Sequence, residues 1–144
     1  MIRVLLADDH EMVRDGLRVL LETTADIHVI ALASDGQDAL DKAMRLRPDV
    51  AVIDVSMPPM NGIRAAREIR THCPQTYVLM LSMMRDPEHI QASIHAGALG
   101  YILKDEAGTE LIDAIRAVSK GYRYFSQKIA EIAARYIKPS EEKE

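Results

Sequence analysis

Short apolar runs alternate with longer amphipathic stretches along most of this chain, and this alternation is the feature that most restricts its fold. Runs such as residues 2–7 and 50–53 are too short for helices and have the composition of buried strands. Between them, stretches such as residues 11–23 place their apolar side chains on one helical face. The alternation predicts an α/β fold in which a parallel sheet is covered by helices on both faces.

Five strands, each followed by a helix, are predicted to join through right-handed crossovers into a doubly wound sheet. The predicted strands are residues 2–7, 27–33, 50–53, 77–81 and 101–103. The predicted helices are residues 11–23, 35–46, 61–72, 87–96 and 108–119. The strand order 2-1-3-4-5 is one of two common solutions, and it places a binding crevice at the carboxyl ends of the central strands.

The C-terminal part of the chain departs from the alternation. Residues 121–126 predict a bend or a short extended piece, and residues 127–138 predict a last amphipathic helix that Ser126 caps. Pro139 is expected to end this helix. We therefore divide the chain into a main domain of residues 1–121 and a C-terminal extension or linker helix of residues 122–144.

Size and charge restrict the functions that the chain can have. Its 144 residues fit one compact domain with a core of its own, and its net charge of −4 does not suit a broad nucleic-acid surface. A single cysteine, Cys73, excludes an internal disulfide and suits a reducing compartment. The apolar N-terminal run stops at Asp8, too early for a signal peptide or a membrane span. A cytoplasmic location is therefore expected.

Polar residues follow four of the predicted strands at the point where each strand ends. Asp8 and Asp9 follow the first strand, and Asp54 follows the third. Ser82 follows the fourth strand and Lys104 the fifth. Each residue alone is weak evidence, since acidic residues in loops are usually solvated or cap a helix. Because these strand ends share one crevice in an open parallel sheet, the joint pattern predicts a site.

The residue types at this site favour phosphoryl chemistry. Three carboxylates that lie close together repel one another, and a hard divalent cation relieves that repulsion. Magnesium takes oxygen ligands from one or two carboxylates and keeps water or phosphate oxygens in its other positions. Lys104 adds a fixed positive charge and Ser82 adds a hydroxyl donor. This set suits in-line phosphoryl transfer to a carboxylate nucleophile.

The segments that carry these residues resemble the response-regulator receiver domain over residues 1 to about 120. The matching segments read LLADDH at 5–10, DVAVID at 49–54, MPPMNG at 57–62, LMLS at 79–82 and GALGYILK at 97–104. The segments LSM at 81–83, GYILKD at 100–105 and GYRYFS at 121–126 further resemble LuxR-type (NarL-like) two-component regulators.

The resemblance implies that Asp54 accepts a phosphoryl group from a phosphohistidine on a sensor histidine kinase. It implies a magnesium site with Asp9 as a direct ligand and Asp8 as a direct or water-mediated one. Asp54 and the backbone carbonyl of Ser56 complete the implied protein ligands. Such a protein catalyses only its own phosphorylation and slow dephosphorylation and is not otherwise an enzyme.

The resemblance also implies how the signal leaves the site. Ser82 and Lys104 would bind the phosphoryl oxygens, and Ser82 and Tyr101 would form the switch, with Tyr101 turning inward. The expected output is a homodimer or altered contacts with an output domain. The dimer face is left open between the first and fifth helices and the fourth helix. DNA would be bound only through a C-terminal helix-turn-helix domain absent from this chain, and no membrane contact is expected.

Other functions fit the same flavodoxin-like sheet less well. A flavin electron carrier would need a Ser/Thr/Gly-rich loop after the first strand to hold a phosphate, whereas this chain has Asp8-Asp9-His10-Glu11 there. A phosphatase resembling the haloacid-dehalogenase group would need an acid two residues after its nucleophile, where this chain has Ser56. A stand-alone phospho-switch or protein-interaction module without DNA output stays as the alternative.

Overall fold

Strands and helices alternate through the computed structural model, which describes residues 1–58 and 60–137. The strands are β1 Ile2–Ala7, β2 Ile27–Ala33, β3 Val50–Asp54, β4 Tyr77–Ser82, β5 Gly100–Leu103 and β6 Tyr124–Phe125. The helices are α1 Glu11–Leu21, α2 Gly36–Leu46, α3 Gly62–His72, α4 Pro87–His95, α5 Ala107–Ser119 and α6 Gln127–Ala134. A 3-10 turn, Lys104–Glu106, joins β5 to α5.

The six strands in the described residues are all parallel and follow the order β2-β1-β3-β4-β5-β6. The doubly wound sheet and the order 2-1-3-4-5 of its first five strands are confirmed, whereas the predicted number of five strands was wrong by one. The sixth strand comes from the segment predicted as a bend or short extended piece, and it pairs Tyr124 with Gly100 and Phe125 with Tyr101. Its two residues are too few to show the alternation that identifies a strand from sequence.

The sheet separates two apolar layers, because successive side chains on a strand point to opposite faces. In β1, Val4 and Leu6 face one layer and Leu5 and Ala7 face the other. Helices α1 and α5 cover the first layer with Leu21, Leu111, Ile115 and Val118. Helices α2, α3, α4 and α6 cover the second layer with Leu40, Ile69, Ile90, Ile129 and Ala133. This double cover leaves the carboxyl edge of the sheet open for a site.

Three helices begin with a side-chain cap. Asp35, Asn61 and Asp86 each accept a hydrogen bond from the backbone N–H three residues further on, at 2.8, 2.9 and 3.1 Å. Such caps satisfy N–H groups that have no partner inside the helix. Within the ranges that the structure describes, no helix is both long enough and apolar enough to cross a bilayer.

The C-terminal segment differs from its prediction in two respects. Helix α6 ends at Ala134, earlier than predicted, and the predicted end at residue 138 lies outside the described residues. Ser126 makes no side-chain cap bond. Its Oγ accepts a hydrogen bond from the backbone N–H of Leu103 at 3.0 Å instead, so Ser126 binds the end of strand β5.

Candidate functional site

The carboxyl ends of β1 and β3 bring four potential ligand residues together. Asp8, Asp9, His10 and Asp54 each offer one ligand atom, and these atoms all lie within 4.8 Å of one another. Asp8 and Asp54 are buried, with exposed fractions of 0% and 2%, whereas Asp9 and His10 lie at the surface. The predicted proximity of the three aspartates is therefore observed, and His10 joins them through a contact of 3.1 Å between its Nδ1 and Asp9 Oδ1.

The turn between β1 and α1 fixes the position of Asp8. The backbone N–H of His10 donates to Asp8 Oδ1 at 2.9 Å, and Arg14 Nη1 donates to the Asp8 backbone carbonyl at 3.0 Å. Arg14 was not singled out from the sequence. Its place in α1, six residues after Asp8, is a weak signal because arginine is common on exposed helical faces.

The loop after β3 orients Asp54. The backbone N–H of Ser56 donates to Asp54 Oδ1 at 3.2 Å. The backbone N–H of Gly62 donates to the Val55 carbonyl at 2.9 Å, which brings the start of α3 against the end of β3. A Cβ atom at Gly62 would lie 1.9 Å from the Asp54 backbone oxygen, so only glycine fits there. Sequence reasoning did not identify this requirement.

Lys104 links the two buried carboxylates. Its Nζ lies 3.0 Å from Asp8 Oδ2 and 3.0 Å from Asp54 Oδ2. Only the contact with Asp54 has the alignment of a hydrogen bond, and Asp8 Oδ2 is a buried oxygen without a hydrogen-bond donor. Although burial favours the neutral amine, the close contacts with Asp8 and Asp54 raise the pKa of Lys104 above its usual value. The ammonium is therefore fixed in the crevice as a cation.

The pKa of Asp54 is raised above its ordinary value mainly because the carboxyl group is buried. The hydrogen bond from Lys104 opposes this shift, and the nearby charge of Asp8 adds to it. The single Lys104 ammonium therefore does not fully offset the cost of burying the ionised form of Asp54 beside Asp8. A further positive charge near Asp54 would favour its ionised, nucleophilic form.

The donor set fits a hard divalent cation. Asp8, Asp9 and Asp54 carry three formal negative charges and Lys104 carries one positive charge, which leaves two negative charges uncompensated. Oxygen ligands of this kind are those that Mg²⁺ prefers. The buried Asp8 Oδ2 accepts no aligned hydrogen bond and contacts the Lys104 ammonium at 3.0 Å, so it keeps lone pairs that a cation could use.

Ser82 and Tyr101 are connected through the backbone of Met84. The N–H of Met84 donates to Ser82 Oγ at 2.9 Å, and Tyr101 Oη donates to the Met84 carbonyl at 2.7 Å. Ser82 and Tyr101 are both buried. Burial is also the main reason that the pKa of Tyr101 rises to about 12. The Tyr101 side chain therefore lies inside the fold, and its role as a switch residue stays a prediction.

An ion pair that the sequence did not suggest joins the two loops beside Lys104. Arg85, which follows β4, lies with its Nη2 2.9 Å from Asp105 Oδ2, at the start of the turn after β5. Both side chains are about half exposed, so the pair contributes little to stability. It does tie the loop that contains Met84 to the loop that contains Lys104.

The parallel sheet, with an acidic cluster and a lysine at its carboxyl edge, is the arrangement expected of a receiver domain, and comparison with known families agrees. Residues 4–116 match the model of the response regulator receiver domain. The chain belongs to this family, as the resemblance in its sequence predicted. Within the family it is a receiver of the LuxR type of two-component regulators.

Individual relatives support the same assignment. The chain is 45% identical over 130 residues to the transcriptional regulatory protein LiaR of Bacillus subtilis, which covers 90% of this chain and 62% of LiaR. A LuxR-family response regulator from Aurantimonas sp. SI85-9A1 superposes with a TM-score of 0.88 at 34% identity, covering 94% of this chain and 96% of the other. The response regulator RcsB of Salmonella typhimurium superposes with a TM-score of 0.83 at 27% identity, covering 92% and 67%.

The match covers only part of the curated relatives. The chain spans 62%, 57% and 60% of the length of three of them. What those longer proteins regulate is therefore a property of the relatives, and the comparison assigns a receiver domain to this chain.

Proposed function

We propose that Asp54 is the phosphoacceptor of a two-component receiver and takes its phosphoryl group from a phosphohistidine on a sensor histidine kinase. The observation that carries the proposal is the bridge of Lys104 between buried Asp8 and buried Asp54, inside a cluster with two excess negative charges. A structural ion pair would need one carboxylate, whereas the Lys104 ammonium contacts two and a third, Asp9, lies in the same cluster.

The transfer exchanges one bond to phosphorus for another. An oxygen of the Asp54 carboxylate forms a bond to phosphorus while the bond between phosphorus and the imidazole nitrogen breaks. The imidazole leaves as a neutral group because its other nitrogen already carries a proton. Lys104, 3.0 Å from Asp54 Oδ2, is placed to pair with the phosphoryl oxygens after transfer. In this scheme the protein catalyses only its own phosphorylation and slow dephosphorylation.

Magnesium is the cofactor in this proposal, with Asp8, Asp9, Asp54 and the backbone carbonyl of Ser56 as its protein ligands. When bound, a divalent cation neutralises negative charge on the carboxylates and on the phosphoryl oxygens. Buried Asp8 and surface-exposed Asp9 are suited to hold it, because their carboxylate oxygens lie in one cluster with that of Asp54. Asp54 is already oriented by the backbone N–H of Ser56.

Ser82 and Tyr101 form the switch in this proposal. After transfer, the Ser82 hydroxyl binds a phosphoryl oxygen together with Lys104. Ser82 Oγ now accepts from the Met84 N–H, and Tyr101 holds the carbonyl of the same residue. A change at Ser82 therefore acts on Met84 and reaches Tyr101 through its hydrogen bond.

The output proposed for the whole protein is transcription control. In this proposal the domain of residues 1–121 receives the signal, and residues 122–144 lead towards a helix-turn-helix domain that this chain does not include. LiaR is described as a transcriptional regulatory protein and RcsB has been solved as dimers bound to DNA, which supports a homodimer and DNA binding through the output domain. A cytoplasmic location completes the proposal.

Phosphopeptide mapping tests the assignment of Asp54. After incubation with acetyl phosphate and magnesium, the chain is expected to gain the mass of one phosphoryl group in the peptide that contains Asp54. Asp54→Asn should abolish the gain, whereas Asp41→Asn, at an exposed position of helix α2, should leave it unchanged. Retention of the label in Asp54→Asn, or absence of any magnesium-dependent label, would contradict the proposal.

A further inference from the structure

The segment β6–α6, residues 124–134, is bound directly to the strand that carries Tyr101. The backbone N–H of Tyr124 donates to the Leu99 carbonyl at 3.3 Å, and the N–H of Ser126 donates to the Tyr101 carbonyl at 3.1 Å. Ser126 Oγ also accepts from the N–H of Leu103 at 3.0 Å. Ser126 is buried and holds β5 through its backbone N–H and its side-chain hydroxyl, the latter at Leu103, one residue before Lys104.

Helix α6 covers the same side of the sheet as Tyr101. Ile129 and Ala133 are fully buried, and they belong to the same apolar cluster as Tyr101. Beyond the helix, the Tyr136 ring meets the His95 ring of α4 edge to face, with their centroids 6.5 Å apart. Without β6 and α6, β5 would be an edge strand and part of the apolar surface around Tyr101 would be exposed.

The segment is thereby connected to the site by a short chain of contacts. Tyr101 Oη donates to the Met84 carbonyl, and the Met84 N–H donates to Ser82 Oγ. Anything that stabilises Tyr101 in its inward position therefore stabilises the loop at Met84, which donates a hydrogen bond to Ser82. The contacts of β6–α6 act on Tyr101 independently of that loop, through the Tyr101 backbone carbonyl and the apolar cluster around its side chain.

We propose that the β6–α6 segment is an intramolecular ligand of the switch strand, and that its docking and the phosphorylation of Asp54 stabilise each other through inward Tyr101. This inference rests on the proposed function of Asp54. Ser126 is a positioning residue in it, since it acts on Tyr101 and Leu103 and not on the phosphoryl group. Because coupling between two binding events is reciprocal, each event strengthens the other by the same factor.

Beryllofluoride with magnesium, a mimic of the phosphoryl group, is the probe for this coupling. Ser126→Ala removes the acceptor for the Leu103 N–H, and Ala133→Asp puts a charge into the buried face of α6. We expect both variants to bind beryllofluoride at least about fivefold more weakly than the unmodified chain, the lower end of typical coupling. Lys128→Ala and Glu131→Ala, on the exposed face of α6, should bind it within about twofold.

Hydrogen exchange on the unmodified chain gives the second measurement. Beryllofluoride is expected to increase the protection of backbone amides in residues 124–134, even though these residues do not touch Asp54. This measurement also decides the question if the two variants fail to fold. A purely structural role of the segment would lower the unfolding midpoint of the variants without changing the affinity of the folded protein.

The outcomes separate this inference from the proposed function. If the unmodified chain binds beryllofluoride and the folded variants bind it as well or more tightly, the coupling is absent and the inference fails alone. Unchanged or reduced protection of residues 124–134 would overturn it in the same way. If the unmodified chain binds no beryllofluoride, the assignment of Asp54 fails, and the inference fails with it.

Discussion

At the scale of single residues, Gly62 controls the geometry around Asp54. A Cβ atom there would lie 1.9 Å from the Asp54 backbone oxygen, and backbone atoms cannot give way as a flexible side chain can. Gly62→Ala is therefore expected to destabilise the fold by about 1–3 kcal/mol, the cost of an overpacked core. It should also lower the rate of Asp54 labelling by acetyl phosphate.

Gly16→Ala is the matched control for Gly62→Ala. Gly16 lies within α1, and a Cβ atom added there would meet no other atom within 4 Å, so alanine should stabilise the fold by up to about 1 kcal/mol. Urea denaturation measures both changes. Equal stability of the two variants would show that the loop after β3 can relax.

Arg116 and Asp26 form a second residue-scale feature, on the side of the molecule that α1 and α5 cover. Arg116 Nε and Nη2 contact the two Asp26 carboxylate oxygens at 2.9 and 3.0 Å. Hydrogen bonds from Arg116 hold the pKa of Asp26 well below its usual range. A depressed carboxyl pKa contributes stability above the unfolded-state pKa of about 3.9, and this contribution is lost as the pH falls towards the folded-state pKa.

We therefore expect Arg116→Ala to have a lower thermal midpoint than the unmodified chain at pH 7, and this difference should narrow between about pH 4 and pH 2. Arg18→Ala is the control. It breaks an exposed ion pair between Arg18 of α1 and Glu22, the residue after the helix, and should shift the thermal midpoint little. A difference between Arg116→Ala and the unmodified chain that stays constant down to pH 2 would contradict this account of Asp26.

The sequence predicted which residues lie at the crevice better than it predicted the residues that hold them in position. Asp8, Asp54, Ser82 and Lys104 could be found because each follows a recognisable strand, and parallel strands end at one edge. Gly62 and Arg14 could not be found in this way, because each contacts a backbone oxygen of a site residue. Such a contact depends on the folded backbone and leaves no pattern in the sequence. The same holds for Met84, whose backbone alone connects Ser82 to Tyr101.

At the scale of secondary-structure elements, α4 begins at the cap formed by Asp86. Asp86 Oδ2 accepts from the His89 N–H at 3.1 Å, and the His89 ring lies against the same carboxylate. Asp86→Ala should destabilise the fold by about 1 kcal/mol, whereas Asp86→Asn keeps an acceptor and should cost less. Thermal unfolding of both variants checks this, and an equal loss in both would indicate that charge, and not capping, is decisive.

The elements themselves followed from hydrophobic periodicity, and the exceptions have a physical reason. The helices and strands through α5 agree with their predicted bounds within two residues, because each buries a long apolar face. Strand β6 has two residues and is specified by its partner β5, not by its own pattern. Ser126 had the residue type of a helix cap, but the buried N–H of Leu103 binds its hydroxyl instead.

At the scale of the whole molecule, the two candidate dimer faces differ in how much surface they leave for a partner. Segment β6–α6 covers the edge of β5 and packs on α4, so the α4 face is partly occupied by the chain itself. Helix α1 instead exposes Met12 and Val19, seven residues apart on one helical face, at 89% and 58%. The homodimer of the proposed function is therefore expected to use the face of α1 and α5.

Val19→Asp tests this choice of face. A charge in the centre of an apolar contact should weaken self-association of the beryllofluoride-bound chain at least about tenfold, which corresponds to about 1.4 kcal/mol. Met44→Asp places the same charge on an exposed apolar position of α2 and should leave self-association unchanged. Sedimentation velocity in the presence of magnesium and beryllofluoride measures both. Loss of the dimer in Met44→Asp, with Val19→Asp unaffected, would move the interface to the opposite side of the sheet.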